Sequence, residues 1–264
     1  MHGAHVPRKR FGQHFLHERG VIERILRALQ PAPGDRFVEI GPGEGALTLP
    51  LLAEAGRLTA IELDRDLIPI LRERARDIGA LELIEADALT VDFTALAGDG
   101  ALRLVGNLPY NISTPLLFHA LSHAGAIRDM LFMLQKEVVQ RMAAAHGSKT
   151  YGRLSVSLQS RCRVEHLFDV APGSFRPPPK VDSAIVRVVP LDRPLLEPSE
   201  QDALDRLLRA AFAQRRKTLR NALRGLADDT TLEACGIDPG VRAEDVPVAR
   251  YVALARHAGS ASAP

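Results

Sequence analysis

The sequence predicts an α/β protein in which a mostly parallel sheet is followed by a small all-helical C-terminal domain. Between residues 36 and 134, short apolar runs typical of strands alternate with segments of helical periodicity. This alternation implies right-handed β-α-β crossovers, which build a parallel sheet with helices on both faces. Pro190, Pro194 and Pro198 then mark a linker, and the apolar residues beyond it recur with helical spacing.

The composition and the N-terminal segment indicate a soluble protein that is neither exported nor inserted in a membrane. With 264 residues, of which 46% are hydrophobic and 25% charged, the chain matches an ordinary soluble globular protein. Disordered, collagen-like and coiled-coil classes are therefore excluded. No apolar run approaches the roughly 18 residues needed to cross a bilayer, and the first ten residues lack the apolar stretch of a signal peptide. Because Cys162 and Cys235 also lie far apart, as in a reducing compartment, we expect a cytoplasmic protein without a membrane partner.

Each predicted element follows from the local pattern of apolar and turn residues. Strands are predicted over residues 36–40, 57–61, 81–84, 102–106, 129–134, 154–159, 164–170 and 184–189. Helices are predicted from the first glycine-rich turn to residue 52, and over 66–76, 115–121, 136–145, 199–212 and 219–226. Together these elements predict a first domain over residues 1–190, a helical domain over 199–257 and a disordered tail over 258–264.

A glycine-rich turn joins the first predicted strand to the helix that follows it. Gly41, Gly43 and Gly45 lack Cβ atoms, so a ligand can approach the backbone N–H groups at the start of that helix. The third glycine comes one residue too early for the dinucleotide fingerprint, and no Lys or Arg follows as in a P-loop. Taken alone, the turn is equally compatible with a merely structural tight bend.

Two carboxylates follow the next two predicted strands. Glu62 ends the second strand, where a carboxylate can accept both hydroxyls of a ribose, and Asp87 follows the third, where an acceptor suits the exocyclic amine of adenine. Either residue by itself is compatible with a solvated acid at a strand end. In order behind the glycine turn, they predict a cofactor that contains adenosine but no pyrophosphate, which points to S-adenosylmethionine.

The tetrapeptide Asn-Leu-Pro-Tyr directly follows the fourth predicted strand. The Asn107 side-chain oxygen and the Leu108 carbonyl are two acceptors that can grip the amine of an adenine base and free its delocalised lone pair. Pro109 stiffens the backbone that presents this carbonyl, and Tyr110 offers a flat face for stacking, worth roughly 1–3 kcal/mol. An isolated tetrapeptide of this kind is usually a turn. Behind a cofactor site it predicts amine methylation through orientation and hydrogen bonding.

At this point the sequence resembles the ribosomal RNA adenine dimethyltransferases, most closely the small-subunit branch. The resemblance rests on residues 10–16 (RFGQHFL), 39–45 (EIGPGEG), 107–112 (NLPYNI), 175–183 (FRPPPKVDS) and 214–221 (QRRKTLRN), together with Glu62 and Asp87. It covers nearly the whole chain. The resemblance implies a Rossmann-like class I methyltransferase domain, and a reaction on two neighbouring adenosines near the 3′ end of the small-subunit RNA within an assembling particle.

The resemblance also implies roles for individual residues. Residues that line the S-adenosylmethionine site would be His14, Leu16, Gly41, Glu62, Asp87 and Asn107. Phe175 would pack against the target base, opposite Tyr110. His14 departs from the family pattern, which commonly has Asn there, so this contact to the cofactor differs. The partner would be the small ribosomal subunit or its precursor, and we expect a monomer.

A basic cluster near the predicted second C-terminal helix is a candidate RNA contact. Continuing that helix backward would put Arg215 on its apolar face, where an unpaired guanidinium is costly. We therefore predict a helix break near residues 214–216 that presents Arg215, Arg216 and Lys217 together, with Arg220 extending the cluster. The alternatives are a solvated charged turn here, with RNA contacts instead around residues 8–10 or 161–163.

Other functions remain open at this level. A large-subunit adenine dimethyltransferase of the antibiotic-resistance type resembles the first domain, and a DNA adenine methyltransferase shares the Asn-x-Pro-Tyr logic. A ribosome-assembly factor that acts mainly by binding is a third possibility. His119 and His123 have a spacing that can bind a metal, but no third ligand lies near them in the sequence, so we predict no metal site.

Overall fold

The structure, a computed structural model, describes residues 14–260. Within them the strands are β1 (Phe15–Leu16), β2 (Arg36–Ile40), β3 (Arg57–Glu62), β4 (Ala80–Glu85), β5 (Leu102–Asn107), β6 (Ile127–Gln135), β7 (Cys162–Val170), β8 (Phe175–Arg176) and β9 (Ser183–Pro190). Seven of them form one sheet in the order β4-β3-β2-β5-β6-β9-β7, and β1 pairs with β8. The pairs from β4 to β6 are parallel, and β9 runs antiparallel to β6. The predicted mostly parallel sheet is confirmed.

The helices connect these strands and make up most of the C-terminal part. They are α1 (Arg19–Leu29), α2 (Thr48–Ala55), α3 (Ile68–Ala75), α4 (Phe93–Ala97), α5 (Ser113–Ser122), α6 (Lys136–Met142), α7 (Arg153–Gln159), α8 (Pro198–Ala211), α9 (Leu219–Ala222), α10 (Asp229–Ala234) and α11 (Val248–Ser260). Among the described residues, none of these helices combines the length and hydropathy that a membrane span requires.

The chain forms two compact units. The first contains residues up to 139 together with 165–190, and the second contains 140–164 together with residues from 191 onward. This division differs from the boundary predicted at residue 190, because Ala144, Tyr151 and Val156 are buried in the hydrophobic core of the second unit. The predicted start of the tail also differs, since α11 continues to Ser260, and the last four residues, 261–264, lie outside the described range.

The parallel strands place their carboxyl ends side by side at one edge of the first unit. Hydrophobic residues of β2 and β5 such as Val38, Leu104 and Val105 are buried, as expected for strands covered on both faces. Gly106 lets β5 approach β2 closely, since a Cβ there would lie 2.4 Å from the backbone oxygen of Ile40. Asn107, the next residue, is thereby held beside the glycine-rich turn.

A buried ion-pair network fixes the opposite end of the same sheet. The Arg103 guanidinium is 2.8 Å from carboxylate oxygens of both Asp35 and Asp129 and also donates to the Leu29 carbonyl at 2.8 Å. Its full set of partners offsets the cost of burying the charge. Because it joins α1, β5 and β6, this network anchors the strands far from their carboxyl ends.

The strand predicted over residues 154–159 is wrong, because this segment is the helix α7. The sequence Leu-Ser-Val-Ser-Leu alternates apolar and polar residues, which imitates a strand. Its serines are nevertheless buried, and the Ser155 hydroxyl accepts from the Gly152 N–H at 3.0 Å and donates to the Arg141 carbonyl at 2.5 Å. A polar side chain with two hydrogen-bond partners inside the protein can be buried. The alternation of leucine, valine and serine therefore did not indicate which of these side chains face the solvent.

The helix predicted over residues 219–226 is also shorter in the structure. It ends at Ala222, and the chain then turns through Gly225, whose φ of 83° lies in the left-handed region. Leu223 is buried, but Leu226 is 48% exposed and does not belong to the predicted apolar stripe.

Candidate active site

A cavity of about 380 Å³ opens at the carboxyl ends of β2, β3 and β5. This is the edge at which open parallel sheets bind ligands, and the volume suits a small molecule. All but one of the predicted catalytic and cofactor-binding residues line it, namely His14, Leu16, Gly41, Gly43, Glu62, Asp87, Asn107, Leu108, Pro109 and Tyr110. The exception is Phe175.

The glycine-rich turn forms one wall of this cavity and depends on the absence of a side chain at Gly43. Its φ is 57°, and a Cβ there would come within 2.9 Å of the Phe15 ring. The Gly43 N–H donates to Glu62 Oε2 at 3.2 Å, which links the turn to the end of β3. The predicted turn therefore has a specific partner across the cavity, and that partner is the predicted ribose-binding residue.

Glu62 is almost fully buried and accepts hydrogen bonds at both carboxylate oxygens. Besides Gly43, the Asp64 N–H donates to Glu62 Oε1 at 2.8 Å. Burial raises the pKa of Glu62, and these two backbone N–H groups oppose that shift. A carboxylate oxygen has more than one lone-pair site, so Glu62 can still accept hydroxyl groups from a ligand.

Asp87 lies on the more exposed side of the cavity. Its Oδ1 accepts from the Leu89 N–H at 3.0 Å, at the start of a short 3₁₀ helix over Ala88–Thr90. Leu63 lines the same cavity and is 53% exposed, which is unusual for a leucine. Sequence reasoning missed Leu63, since a single apolar residue after Glu62 gives no signal by itself.

Glu39 is a second cavity residue to which the sequence assigned no role. It is 2% exposed, and its Oε2 has no hydrogen-bond partner in the part of the chain that the structure describes. Burial raises the pKa of Glu39 to about 7, and the neighbouring Glu62 charge adds to this effect, while the Thr48 hydroxyl opposes it. A buried carboxyl oxygen without a partner is a group that a positively charged ligand can compensate.

Replacing Glu39 with glutamine is expected to remove a pH dependence of stability. The carboxyl is protonated in both states below pH 4.5, whereas above about pH 7 the folded protein must bury a charge that the unfolded chain leaves in water. The free energy of unfolding of the wild type therefore falls by about 3 kcal/mol as the pH rises from 4.5 to 7.

Urea unfolding of the ligand-free protein at pH 5 and pH 8 measures this difference. The gap between wild type and Glu39→Gln should widen toward pH 8, while Glu54→Gln, at an exposed position of α2, should follow the wild type. Parallel curves for wild type and Glu39→Gln would show that the Glu39 carboxyl titrates normally.

Asn107 is held in one orientation at the end of β5. Its Nδ2 donates to the His14 carbonyl at 2.8 Å, so the other amide atom, Oδ1, remains as an acceptor. The Leu108 N–H donates to the Met133 carbonyl at 3.2 Å, and the Leu108 side chain is buried. Hydrogen bonds therefore hold both residues of the predicted acceptor pair, Asn107 through its side chain and Leu108 through its backbone N–H.

Tyr110 lies near the His14 ring, whereas Phe175, which the resemblance places against the target base, does not line the cavity. Phe175 is 2% exposed, lies opposite Leu16 in the β1–β8 pair and belongs to the hydrophobic core, so the structure does not bring it into the cavity. The ring stacked near Tyr110 is His14, with centroids 5.9 Å apart and planes at 29°. His14 Nδ1 donates to the Pro177 carbonyl at 2.8 Å, and the Tyr110 hydroxyl lies 2.8 Å from the Ser183 hydroxyl.

The two histidines with metal-type spacing make other contacts. His119 Nε2 donates to the Val91 carbonyl at 2.9 Å, and His123 Nδ1 lies 2.9 Å from the Thr94 hydroxyl. Within residues 14–260, no three His, Cys, Asp or Glu side chains are grouped so that they could hold a metal ion.

The predicted basic cluster lies in the second unit. The expected helix break is confirmed, since α8 ends at Ala211 and α9 begins at Leu219. Arg215 Nε is 3.4 Å from Glu244 Oε2, and Arg220 is 2.8 Å from Asp229 Oδ2, so both of these cations are compensated. Arg216 and Lys217 are exposed and have no ionic partner among residues 14–260. The alternative cluster at residues 8–10 lies outside the described residues.

Comparison with known proteins gives concordant matches over almost the whole chain. A family model described as "Ribosomal RNA adenine dimethylase" matches residues 4–258. A "Ribosomal RNA small subunit methyltransferase A" from Xanthomonas campestris is 57% identical over 248 residues, covering 94% of this chain and 95% of the relative. The protein of the same name from Pseudomonas putida is 55% identical over 252 residues, with 95% and 94% covered.

Two solved structures resemble this one over more than nine tenths of each chain. A dimethyladenosine transferase from Plasmodium falciparum has a TM-score of 0.80 at 29% identity, covering 91% of this chain and 96% of the other. The 23S rRNA methyltransferase ErmE has a TM-score of 0.74 at 26% identity, covering 92% and 98%.

Proposed function

Because the chain belongs to the ribosomal RNA adenine dimethylase family, we propose that it dimethylates the N6 amines of two adjacent adenosines in small-subunit ribosomal RNA during ribosome assembly. S-adenosylmethionine is the methyl donor. The observation that carries the proposal is that the oriented Asn107 amide and the carboxyl groups of Glu39 and Glu62 line the same cavity. Relatives more than half identical to this chain are named as small-subunit enzymes, which supports the choice of substrate.

The donor set of the cavity fits S-adenosylmethionine. Glu62 would accept the ribose hydroxyls, Asp87 would accept the adenine amine, and the exposed face of Leu63 would contact the apolar ring. The unpartnered Glu39 oxygen suits a cationic ligand. His14, Leu16, Gly41 and Gly43 complete the walls. When bound, this cofactor supplies an electrophilic methyl group on a positively charged sulfur, so the protein needs no metal for the transfer.

The last residue of β5 and the three residues that follow it would prepare the target amine. Asn107 Oδ1 and the Leu108 carbonyl would each accept a hydrogen bond from one N–H of the adenine amine. These two bonds would draw the nitrogen away from planarity and localise its lone pair. Pro109 restricts the backbone that carries this carbonyl, and Tyr110 would hold the base by stacking. These groups are fixed before the substrate arrives, so little reorganisation is needed during the reaction.

The leading alternative is the large-subunit branch. ErmE has nearly the same fold, but it is 26% identical to this chain, whereas the relatives named as small-subunit enzymes are 55–57% identical. A pure assembly factor would not require the positioned Asn107 amide or the buried carboxylates.

We place the protein in the cytoplasm as a monomer. We assign phosphate contacts to Arg216 and Lys217, since Arg215 and Arg220 already have ionic partners.

Methyl transfer to purified ribosomal subunits tests this function. The protein is incubated with S-adenosylmethionine labelled in its methyl group and with either small or large subunits from cells that lack adenine dimethylation. Label should enter the small-subunit RNA, and large subunits should remain unlabelled. Label in large subunits alone would favour the alternative, and binding to small subunits without any label would favour an assembly factor.

A further inference from the structure

Ser183 is a polar residue at a completely buried position of the sheet. It begins β9, lies opposite Gln135 of β6 and has no exposed surface. The three residues that follow it on β9 are apolar and equally buried. A buried hydroxyl lowers stability unless it has a hydrogen-bond partner. Packing of the sheet alone therefore does not explain a serine here.

The partner of this hydroxyl is the side chain of Tyr110. Ser183 Oγ lies 2.8 Å from the Tyr110 hydroxyl, and it has no other hydrogen-bond partner within residues 14–260. Burial raises the pKa of Tyr110, against the opposing effect of this hydrogen bond, so the phenol keeps its proton at neutral pH. Ser183 does not line the cavity, so its effect on a bound base would be transmitted by Tyr110.

The Tyr110 residue is held at both of its ends. Its carbonyl accepts from the Ser113 hydroxyl at 3.0 Å, at the start of α5, and its own hydroxyl is joined to Ser183. The stacked His14 ring restricts it further. A tyrosine that is fixed at its backbone and at its hydroxyl has little freedom to turn about its two side-chain torsions. The plane of the ring is therefore set before a base arrives.

Ser183 is in turn held by the end of β6. The Lys136 N–H donates to the carbonyl of Asp182, the residue directly before Ser183, at 2.9 Å. The Lys136 ammonium also lies 2.7 Å from Asp169 Oδ2, near the end of β7, and 3.9 Å from Asp182 Oδ2. Exposed ion pairs contribute little on their own, so the backbone hydrogen bonds between β6 and β9 are the main anchor of the serine.

We propose that Ser183 is a positioning residue for methyl transfer, whose hydroxyl holds the Tyr110 ring in the plane on which the target adenine stacks. The inference rests on the proposed function and deepens it, since it adds a residue outside the cavity. A base stacked on a displaced ring would present its amine to Asn107 and to the methyl donor at a wrong angle. The hydrogen bond therefore acts on the rate of transfer rather than on cofactor binding.

Ser183→Ala removes this hydroxyl with the smallest possible change to the strand. Single-turnover methyl transfer at saturating, undermethylated small subunits should slow by about 2- to 12-fold, as expected for the loss of one hydrogen bond between neutral groups. The affinity for S-adenosylmethionine, measured by calorimetry, and the affinity for the subunits should stay at their wild-type values. A wild-type rate in this variant would overturn the proposal, as would a loss confined to either affinity.

Tyr110→Phe removes the other hydroxyl of the same hydrogen bond. Alone it should slow the transfer about as much as Ser183→Ala does, and the double variant should show no further slowing. If Ser183→Ala slowed the transfer equally in the presence and in the absence of the Tyr110 hydroxyl, Ser183 would act independently of Tyr110 and the proposal would fail.

Ser160→Ala is the matched control for a buried serine. Ser160 lies in the second unit, is 2% exposed, and its hydroxyl donates to the Ser157 carbonyl at 3.2 Å. This variant also loses one internal hydrogen bond, but it should keep the wild-type rate of transfer. Equal slowing in Ser160→Ala would attribute the effect of Ser183→Ala to a general loss of stability and would contradict positioning.

Nuclear magnetic resonance of the free protein tests the hydrogen bond without any reaction. The chain has three tyrosines and no tryptophan, so ¹³C at the ζ carbon of tyrosine gives three signals, and Tyr110→Phe identifies that of Tyr110. Ser183→Ala should shift this signal and leave those of Tyr151 and Tyr251 in place. An unshifted Tyr110 signal would refute the role of Ser183. A wild-type protein that does not methylate the subunits contradicts the proposed function, while the Tyr110 signal still decides whether Ser183 holds the ring.

Discussion

Asn107→Ala is expected to lower the turnover number by at least about 100-fold and to leave the affinity for S-adenosylmethionine comparatively intact. Positioned polar groups that act mainly in the transition state typically contribute effects of this size. In the structure the Asn107 amide is already oriented by its bond to the His14 carbonyl, so the acceptor oxygen is available without rearrangement. Alanine removes that oxygen at the point where the amine must be activated.

Single-turnover kinetics and calorimetry separate these two effects. Asn107→Asp is the informative second variant, because it keeps an acceptor oxygen but cannot donate to the His14 carbonyl. It should retain more turnover than the alanine variant. Near-normal turnover in Asn107→Ala would contradict activation of the amine by this residue.

Glu62→Ala is expected to weaken S-adenosylmethionine binding by roughly 10- to 150-fold, since a hydrogen bond to a charged group contributes about 1.5–3 kcal/mol. The substitution removes the acceptor for the ribose hydroxyls and also releases the Gly43 N–H, so the glycine turn loses its connection to β3. Both consequences act on the cofactor rather than on the target base.

Glu85→Ala is a matched control for this measurement. Glu85 ends β4 directly beside Glu62 in the sheet register, but it is exposed and does not line the cavity. Calorimetry should give wild-type affinity for Glu85→Ala. If Glu62→Ala also bound with wild-type affinity, Glu62 would be only a structural acid that braces the turn.

The mostly parallel sheet and the placement of most site residues could be predicted because both follow from simple rules. Parallel strands bring their carboxyl ends to one edge, so Gly41, Glu62 and Asn107 had to meet although they are far apart in sequence. The helix break before Leu219 could also be predicted, because a continuous helix would have buried the Arg215 charge.

The errors arose where a local pattern depends on distant partners. Ser155 is buried only because Gly152 and Arg141 satisfy its hydroxyl, so the alternation around it could not reveal a helix. Phe175 is buried outside the cavity lining because β8 pairs with β1, a contact between residues about 160 positions apart in the sequence, and its contact with the target base stays a prediction. No local signal identifies such pairings.

The ion pairs of the basic cluster could not be predicted from the sequence for the same reason. Arg220 pairs with Asp229 and Arg215 with Glu244, and neither acid lies close enough in sequence to be recognised as a partner. The unpartnered oxygen of Glu39 was equally hidden, because an acid in a buried strand reveals nothing about its neighbours until the strands around it are known.

Nucleoside mass spectrometry of the small-subunit RNA after reaction tests the central claim most directly. Undermethylated small subunits are incubated with S-adenosylmethionine and either wild-type protein or Asn107→Ala, and the modified fragment is then sequenced by its masses. The account predicts N6,N6-dimethyladenosine at two adjacent positions with the wild-type protein and almost none with Asn107→Ala. Methylation at another atom or on another base, or equal dimethylation by both proteins, would contradict it.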